Sequence, residues 1–316
     1  MRHTGVSLEE TFTTGPAARV TVTTGPGVVT VTGWEAPLVK VIALKRRPNG
    51  WWGGRIFDQT AVRLDHDRRT VTVVTEDGSG RPARPLLGPA LAPVEYTLFV
   101  PRRSHLQVRT TSARLALEDL TGDLQAETVS GPVWLSRLSG ALNLRTVSGT
   151  VSGAHLTGDL AVWTVSGSVD LQPVHPRLLD LKTISGRLAV ALAPDPGAQV
   201  RLWSVTGPVR LALPAVGPLQ VEGWGALRPA VALAGARLTT TQVGWRLQRG
   251  GNGPRCQVIS LLGPVVLTAD PTLRPAHPEP VALAAPDRLA ILQAVARGEL
   301  SVDEALARLM GQEEGR

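Results

Sequence analysis

The sequence predicts an all-β protein, a parallel β-solenoid with 18-residue coils that ends in a short C-terminal helical hairpin. The first observation is a glycine period of nine residues, and the second is that every other glycine closes a phrase such as Thr128-Val129-Ser130-Gly131. The third is the alternation of apolar and polar residues after each glycine, which is typical of a half-buried strand. A fixed short period indicates repeats that stack on one another, so two nine-residue halves make one coil. The periodic glycines are Gly122, Gly131, Gly140, Gly149, Gly158 and Gly167.

Strand patterns continue on both sides of the regular repeats. Residues 1–104 are predicted to be a β-rich N-terminal portion continuous with the solenoid, because Val/Thr-rich stretches there alternate with turn residues. The solenoid repeats cover 105–270. The phrase returns at 183–186 and 204–207 after steps of 19 and 21 residues, which indicates lengthened corners. The stretch 260–267 is predicted to be a last, degenerate coil.

Each nine-residue unit has an odd length, so an uninterrupted strand would turn its apolar side outward at the next repeat. We therefore expect a corner in each unit, where a glycine supplies backbone freedom. Hydroxyl residues stand three positions and one position before each phrase glycine, and stacking would align them in two columns that hydrogen-bond along the stack. The first column is Thr128, Thr146, Thr164, Thr183 and Ser204, and the second is Ser130, Ser148, Ser166, Ser185 and Thr206.

A surface ladder occupies the position four residues before each phrase glycine, with Ala113 taken as the first, degenerate glycine position. Charges alternate and then cations alternate with indoles, so we expect ion pairs and cation–π contacts of about 0.5–1 kcal/mol each between adjacent members. One interpretation is a ladder that fixes coil register, and the other is a strip for sugars or bases, which stack on tryptophan. A fold feature alone does not imply a site, which favours the first interpretation. The surface ladder consists of Arg109, Glu127, Arg145, Trp163, Lys182 and Trp203.

The segment from Lys45 to Arg55 is predicted to be a loop because of its Pro and Gly content. Paired tryptophans flanked by cations are typical of membrane interfaces, protein hot spots and single-stranded nucleic-acid platforms. This segment is therefore the candidate binding loop, and the alternative is that it folds back to cover an open solenoid end. Its candidate residues are Lys45, Arg46, Arg47, Trp51, Trp52 and Arg55.

A proline-rich linker over 271–285 leads to two short amphipathic helices within 286–316. Pro286 suits the first helical turn, and Ser301-Val302-Asp303-Glu304 is a capping box. Helices this short are marginal alone, so we expect them to dock on a second copy, on another protein or back on the β body. The association residues are Leu289, Leu292, Val295, Leu306 and Leu309.

The composition indicates neither a membrane span nor a disulfide framework. The chain has 33 Lys and Arg against 26 Asp and Glu, a net charge of +7, which leaves nucleic acid or an anionic membrane surface open as a partner. No apolar run reaches the roughly 18 residues of a transmembrane segment, and no apolar signal stretch follows Met1. Cys256 is the single cysteine. These features predict a cytoplasmic protein.

The order of phrases also resembles a known bacterial family. The residues that carry the resemblance are 96–101, 106–112 and the Leu-Thr-Gly and Thr-Val-Ser-Gly phrases, although Ala113 departs from the family's first Ser-Gly. Over about residues 15–270 the chain resembles the "putative adhesin" β-strand-repeat proteins, a domain of unknown function, and 289–306 resembles the SHOCT-like helical module often joined to them. The resemblance implies a β-solenoid, a non-catalytic role and a link to cell-envelope stress responses. It brings no catalytic residues.

The sequence predicts no enzyme and no cofactor. The six histidines have no partners at metal-ligand spacing apart from Asp65-His66-Asp67, which is interpreted as a charged turn. Asp159 and Asp170 fall in different half-coils, so they do not make the paired carboxylates of a glycosidase. The predicted function is a non-enzymatic scaffold or regulatory protein with a protein partner or self-association through its tail. The alternatives are a nucleic-acid or anionic-surface binder that uses the candidate binding loop, and a carbohydrate-binding solenoid.

Overall fold

The computed structural model describes residues 5–48, 50, 53–82, 90–229, 235–242, 244–251 and 253–273. In these ranges the chain is nearly all β, with one short helix, and no described helix is long and apolar enough to cross a membrane. The linker and the helical hairpin predicted for 271–316 lie almost wholly outside the described residues.

The first half of the chain holds β1 to β9 and the helix α1. Their bounds are β1 Gly5–Thr13, β2 Arg19–Thr24, β3 Gly27–Trp34, β4 Leu38–Arg46, α1 Gly53–Gln59, β5 Ala61–Asp67, β6 Thr70–Glu76, β7 Val94–Pro101, β8 His105–Thr110 and β9 Arg114–Glu118. The second half holds β10 to β22. Their bounds are β10 Thr121–Thr128, β11 Val133–Thr146, β12 Val151–Thr164, β13 Val169–Thr183, β14 Leu188–Leu192, β15 Gln199–Ser204, β16 Val209–Pro214, β17 Leu219–Trp224, β18 Leu227–Pro229, β19 Arg237–Thr240, β20 Trp245–Arg249, β21 Arg255–Ser260 and β22 Val265–Asp270.

The repeat sets the strand register directly. In the parallel pairs β10–β11 and β11–β12 each residue lies opposite the residue 18 positions further on, as Thr128 opposite Thr146 and Val133 opposite Val151. From β12 to β13 the offset is 18 until a bulge after Gly158 and 19 beyond it. Equivalent side chains of successive repeats therefore stand in columns one strand spacing apart, ~4.8 Å.

The strands form two rows that enclose one core. The long strands β11, β12 and β13 bend midway, so their first halves pair in one row and their second halves in the other. Arg137 and His155 have left-handed backbone at the bends of β11 and β12, and Asp119 has the same conformation 18 residues earlier, between β9 and β10. These corners restore the phase that an odd nine-residue unit would lose. Val133 and Val151 are fully buried, and the alternate residues of both rows belong to one hydrophobic cluster.

The stacking order differs from the chain order at both ends. Strands β2 and β3 lie between β6/β7 on one side and β8/β9 on the other, all in parallel. Likewise β21 and β22 lie between β15/β16 and β17/β18. Each terminal segment is thus held on two sides by backbone hydrogen bonds. Local alternation predicts that these segments are strands, but it does not indicate which strand is the next neighbour.

Antiparallel strands finish the rows. On the N-terminal side β4 pairs antiparallel with β7 and β1 with β4, while β5 pairs antiparallel with β6. On the C-terminal side β20 pairs antiparallel with β17, and β19 with β20. The change of strand direction ends the parallel stacking at these places.

The phrase glycines from Gly149 onward are required by close approach rather than by backbone freedom. A Cβ at Gly149, Gly167 or Gly186 would lie 1.8–2.1 Å from the carbonyl oxygen of the glycine one repeat earlier. None of these three has a left-handed φ, so the predicted freedom is not used there. The intervening glycines differ, because Gly140 and Gly158 have φ of 113° and 108°. These intervening glycines, and Gly131 among the phrase glycines with a φ of 122°, match the expectation that a glycine supplies an unusual conformation.

The two hydroxyl columns make different bonds. In the first column Thr146, Thr164 and Thr183 accept the backbone N–H of their own phrase glycine at 2.9–3.1 Å, so that column stabilises single corners rather than linking coils. In the second column Ser148 and Ser166 donate to backbone carbonyls of the preceding repeat, both at 3.3 Å. Hydrogen bonds between successive repeats, which were predicted for both columns, are thus made by the second column, and their acceptors are backbone carbonyl oxygens.

Candidate binding surface

The predicted surface ladder stands in consecutive register on the outward side of the second row. The pairings run from Arg109 through Glu127, Arg145, Trp163 and Lys182 to Trp203. Because β21 is inserted beside β15, the column then continues through two residues from later in the chain. They are Ile259, which lies opposite Trp203, and Trp224, which lies opposite Ile259.

Three indoles therefore occupy every second strand of one column. Trp163 is 44% exposed and Trp224 is 37% exposed, while Trp203 between them is half-buried. Two strand spacings separate neighbouring indoles, which is roughly 10 Å. We call these three residues the indole column. Trp134, 41% exposed, lies on the outward side of the first row and has the Arg114 guanidinium 5.2 Å from its ring centroid.

The contacts along the ladder are partly those expected. Arg109 Nε lies 3.3 Å from Glu127 Oε2, which is the predicted ion pair. Lys182 Nζ instead bonds Asp180 on its own strand at 2.8 Å. Among the described residues the cation–π contacts involve Phe57 and Trp134, so the cation–π contacts predicted for Trp163 and Trp203 are not found there. The indole faces of the column are therefore not covered by neighbouring cations.

Two further outward columns run beside the surface ladder and are mostly polar. Alternate residues of a strand share one side of the sheet. The two columns therefore consist of the residues that stand two and four positions before each member of the surface ladder and its continuation. The middle column is Gln107, Gln125, Asn143, Ala161, Asp180, Arg201, Gln257 and Glu222. The outer column is His105, Asp123, Ala141, Asp159, Leu178, Gln199, Arg255 and Gln220. These two columns and the surface ladder, with Ile259 and Trp224 that continue it, are together called the outward strip.

Cationic and anionic side chains are interspersed in the columns of the outward strip, and the outer column continues beyond His105 to Arg19 of β2. From β8 to β17 five cationic and five anionic side chains stand in its columns, although the whole chain carries +7. At its margins the Arg177 guanidinium bonds Asp159, and Arg246 lies 2.8 Å from Glu222. The cations of the columns are Arg109, Arg145, Lys182, Arg201 and Arg255, and the anions are Asp123, Glu127, Asp159, Asp180 and Glu222.

The strip deepens at its C-terminal end into a cleft of about 500 Å³. The cleft exists because β21 lies between β15 and β17, which brings together side chains that are far apart in the chain. Beneath it Cys256 is buried, and burial raises the pKa of this thiol to about 12, so the thiol is not a nucleophile at neutral pH. The polar side chains that line the cleft are Gln199, Arg201, Gln220, Glu222, Arg246, Gln248, Arg255 and Gln257. Sequence reasoning missed this group, because no local motif marks it.

The candidate binding loop is placed differently from the prediction. Lys45 and Arg46 end β4, and Arg55 lies in α1, so the segment is not one loop. Lys45 Nζ donates to the carbonyls of Phe57 and Thr60 at 2.9 and 2.8 Å, which is a favourable place for a cation at a helix C-terminus. Arg46 bonds Glu95.

Arg47 lies 5.7 Å from the Phe57 ring, and Trp51 and Trp52 fall outside the described residues. Of the six loop candidates, Lys45, Arg46 and Arg47 thus have partners within the chain, which leaves less of the cationic surface on which the loop interpretation depended.

The described residues contain no group of three side chains that could hold a metal ion. Asp65-His66-Asp67 belongs to β5 rather than to a turn, and the His66 ring packs on Phe12 at 5.0 Å. Asp159 projects from the second row, whereas Asp170 lies in the first row and accepts a bond from Gln172 at 2.7 Å. Their separation on two rows agrees with the expectation that they are not paired carboxylates.

No family model and no curated protein matches the chain. Solved structures match at low identity. A "putative cell adhesion protein" from Clostridium sporogenes is 10% identical, with 84% of this chain and 100% of that chain covered and a TM-score of 0.30. A "putative adhesin" from Parabacteroides distasonis is 14% identical, with 84% and 98% covered and a TM-score of 0.41. A "putative adhesin" from Bacteroides fragilis is 8% identical, with 83% and 97% covered and a TM-score of 0.41.

Proposed function

We propose that the chain is a non-enzymatic β-solenoid scaffold, built of 18-residue coils, whose outward strip is a binding surface for extended cell-envelope material. The indole column supports this proposal most strongly. Large exposed apolar side chains are costly to leave in water, and a regular row of them beside polar side chains is typical of an interaction site.

The arrangement suits binding rather than chemistry. The second row is a parallel sheet with regular register through the repeats, so its outward side chains are held at fixed spacing by backbone hydrogen bonds. A long, shallow surface of this kind contacts an extended ligand at many weak points. It offers no enclosed place that excludes water around a reacting bond.

A polyanion binder is the less favoured alternative. Phosphate binding depends on clustered unpaired cations and weakens steeply with salt. In this chain anions are interspersed among the cations of the strip's columns, and Lys45 and Arg46 of the candidate binding loop already have partners.

Co-sedimentation tests the proposal. We expect the full chain to pellet with a bacterial cell-envelope preparation that contains murein and membranes. The triple variant Trp163→Ala, Trp203→Ala, Trp224→Ala should stay largely in the supernatant, because it loses the indole column while its inward residues are unchanged.

Trp134→Ala is the matched control, since it removes an equally exposed indole from the first row. It should pellet like the unaltered chain. The proposal is contradicted if the unaltered chain stays in the supernatant, or if the triple variant and the control pellet equally. Thermal melting of each variant checks that the fold is kept.

A further inference from the structure

Resting on the proposed function, we propose that the ligand of the outward strip is a neutral, extended, β-1,4-linked glycan. Three independent observations point to this class: the spacing of the indoles, the chemistry of the columns beside them and the interspersed charges of the strip.

The spacing matches the repeat of such a glycan. Trp163, Trp203 and Trp224 stand on every second strand, roughly 10 Å apart. In an extended β-1,4-linked chain, alternate sugar rings present the same face, and the disaccharide repeat is close to two strand spacings. One ring in two can therefore stack on an indole.

The stacking is chemically suited to a β-linked pyranose. Its axial C–H groups form an apolar face, and their hydrogens carry a small partial positive charge. The face of an indole is electron-rich, so the two faces attract each other. No cation of the described residues stacks on the three tryptophans, so a sugar ring would not have to displace a cation–π partner.

The columns beside the indoles suit sugar hydroxyls. Amides such as Gln125, Asn143 and Gln257 both donate and accept hydrogen bonds. Carboxylates such as Asp180 and Glu222 accept from hydroxyls and would repel a phosphate backbone. At the C-terminal end of the strip the cleft is lined by four glutamine and three arginine side chains, of which Gln248 and Arg246 lie outside the columns.

The interspersed charges separate a neutral glycan from nucleic acid. Single-stranded nucleic acid also stacks on aromatic side chains, but it needs a positively charged groove to follow its backbone. Five anions among five cations do not make such a groove.

Isothermal titration of the full chain with cellohexaose and chitohexaose tests the inference. A hexasaccharide is long enough to cover the three indoles, which span four strand spacings or roughly 19 Å. We expect binding that grows with chain length from the disaccharide to the hexasaccharide. Each single Trp→Ala change in the indole column should weaken it roughly 3- to 10-fold, and the triple change roughly 100-fold or more.

A spacing variant is the sharpest control. The double change Trp203→Ala with Ile259→Trp keeps three indoles and all charges on the column, but moves the middle one by one strand. It should bind hexasaccharide as weakly as Trp203→Ala alone. Trp134→Ala should bind like the unaltered chain.

Maltohexaose, whose α-linked rings do not alternate in this way, and a thymidine oligonucleotide complete the panel. The inference is overturned if both β-linked hexasaccharides bind no better than maltohexaose, if the spacing variant binds like the unaltered chain, or if the oligonucleotide is preferred and its binding falls steeply with salt. If the chain pellets with envelope material through the outward strip but binds no hexasaccharide, only the glycan class is refuted. Pelleting that does not depend on the strip would refute the proposed function.

Discussion

Replacing Gly167 with alanine should destabilise the protein by about 3 kcal/mol or more, because the new methyl group has no room. Its Cβ would lie 2.0 Å from the carbonyl oxygen of Gly149 and 2.7 Å from Thr164 Oγ1. Both contacts involve atoms fixed by the stack, so relief requires two repeats to move apart. The same Thr164 oxygen accepts the Gly167 N–H at 2.9 Å, and that bond would be lost as well. The midpoint of urea unfolding measures the effect.

Gly251→Ala is the matched control. Its Cβ would meet no atom within 4 Å, and its φ is not left-handed. It should change stability by no more than about 0.5 kcal/mol. If Gly167→Ala unfolds at the same urea concentration as Gly251→Ala, the claim that the phrase glycines leave no room for a Cβ is wrong.

Replacing Arg249 with methionine should cost about 3 kcal/mol or more for a different reason. The side chain is 8% exposed, and its guanidinium donates to the carbonyls of Pro214, Ala215 and Gly217, each at 2.7 Å. Burial lowers the pKa of Arg249, yet the group remains charged because guanidinium pKa values are so high. Without it, three carbonyl oxygens lose their donor, at about 1–3 kcal/mol for each one left buried and unsatisfied.

Arg249→Lys should recover only part of this loss, since one ammonium does not reproduce the planar fork that spans three carbonyls. Arg210→Met is the control, because Arg210 is exposed on β16 and should tolerate the change within about 0.5 kcal/mol. Thermal melting of the three variants gives the comparison. If Arg249→Met and Arg210→Met have the same melting temperature, the three Arg249 hydrogen bonds do not stabilise the fold as described.

The regular part of the fold could be predicted because its period is explicit in the sequence. An offset of 18 residues between Val133 and Val151 follows from the spacing of the phrases alone. A corner in each unit could be predicted, but the residues that form it could not. Asp119, Arg137 and His155 have little in common except their spacing, and a left-handed backbone at such residues is imposed by packing on both sides rather than by local preference.

The order of the strands at the two ends of the stack could not be predicted either, because it also depends on long-range packing. Strands β2 and β21 have the alternation of any half-buried strand, and such a strand can pair equally well with several neighbours. The insertion of β21 between β15 and β17 is a long-range choice, decided by which arrangement buries both edges.

Part of the candidate surface could be predicted from the sequence. The column from Arg109 to Trp203 follows from counting back four residues from each phrase glycine. The same count from Gly263 gives Ile259, so that member carried a usable signal. Trp224 carried none, because no phrase follows it and its place in the column depends entirely on the inserted β21.

Tryptophan oxidation footprinting tests the central claim, that the outward strip is the binding surface, most directly. The full chain is oxidised by hydroxyl radicals with and without envelope material, and each tryptophan-containing peptide is measured by mass spectrometry. We expect Trp163, Trp203 and Trp224 to be protected together while Trp134 is oxidised as before. Protection of Trp134 with continued oxidation of Trp163 and Trp224 would contradict the claim.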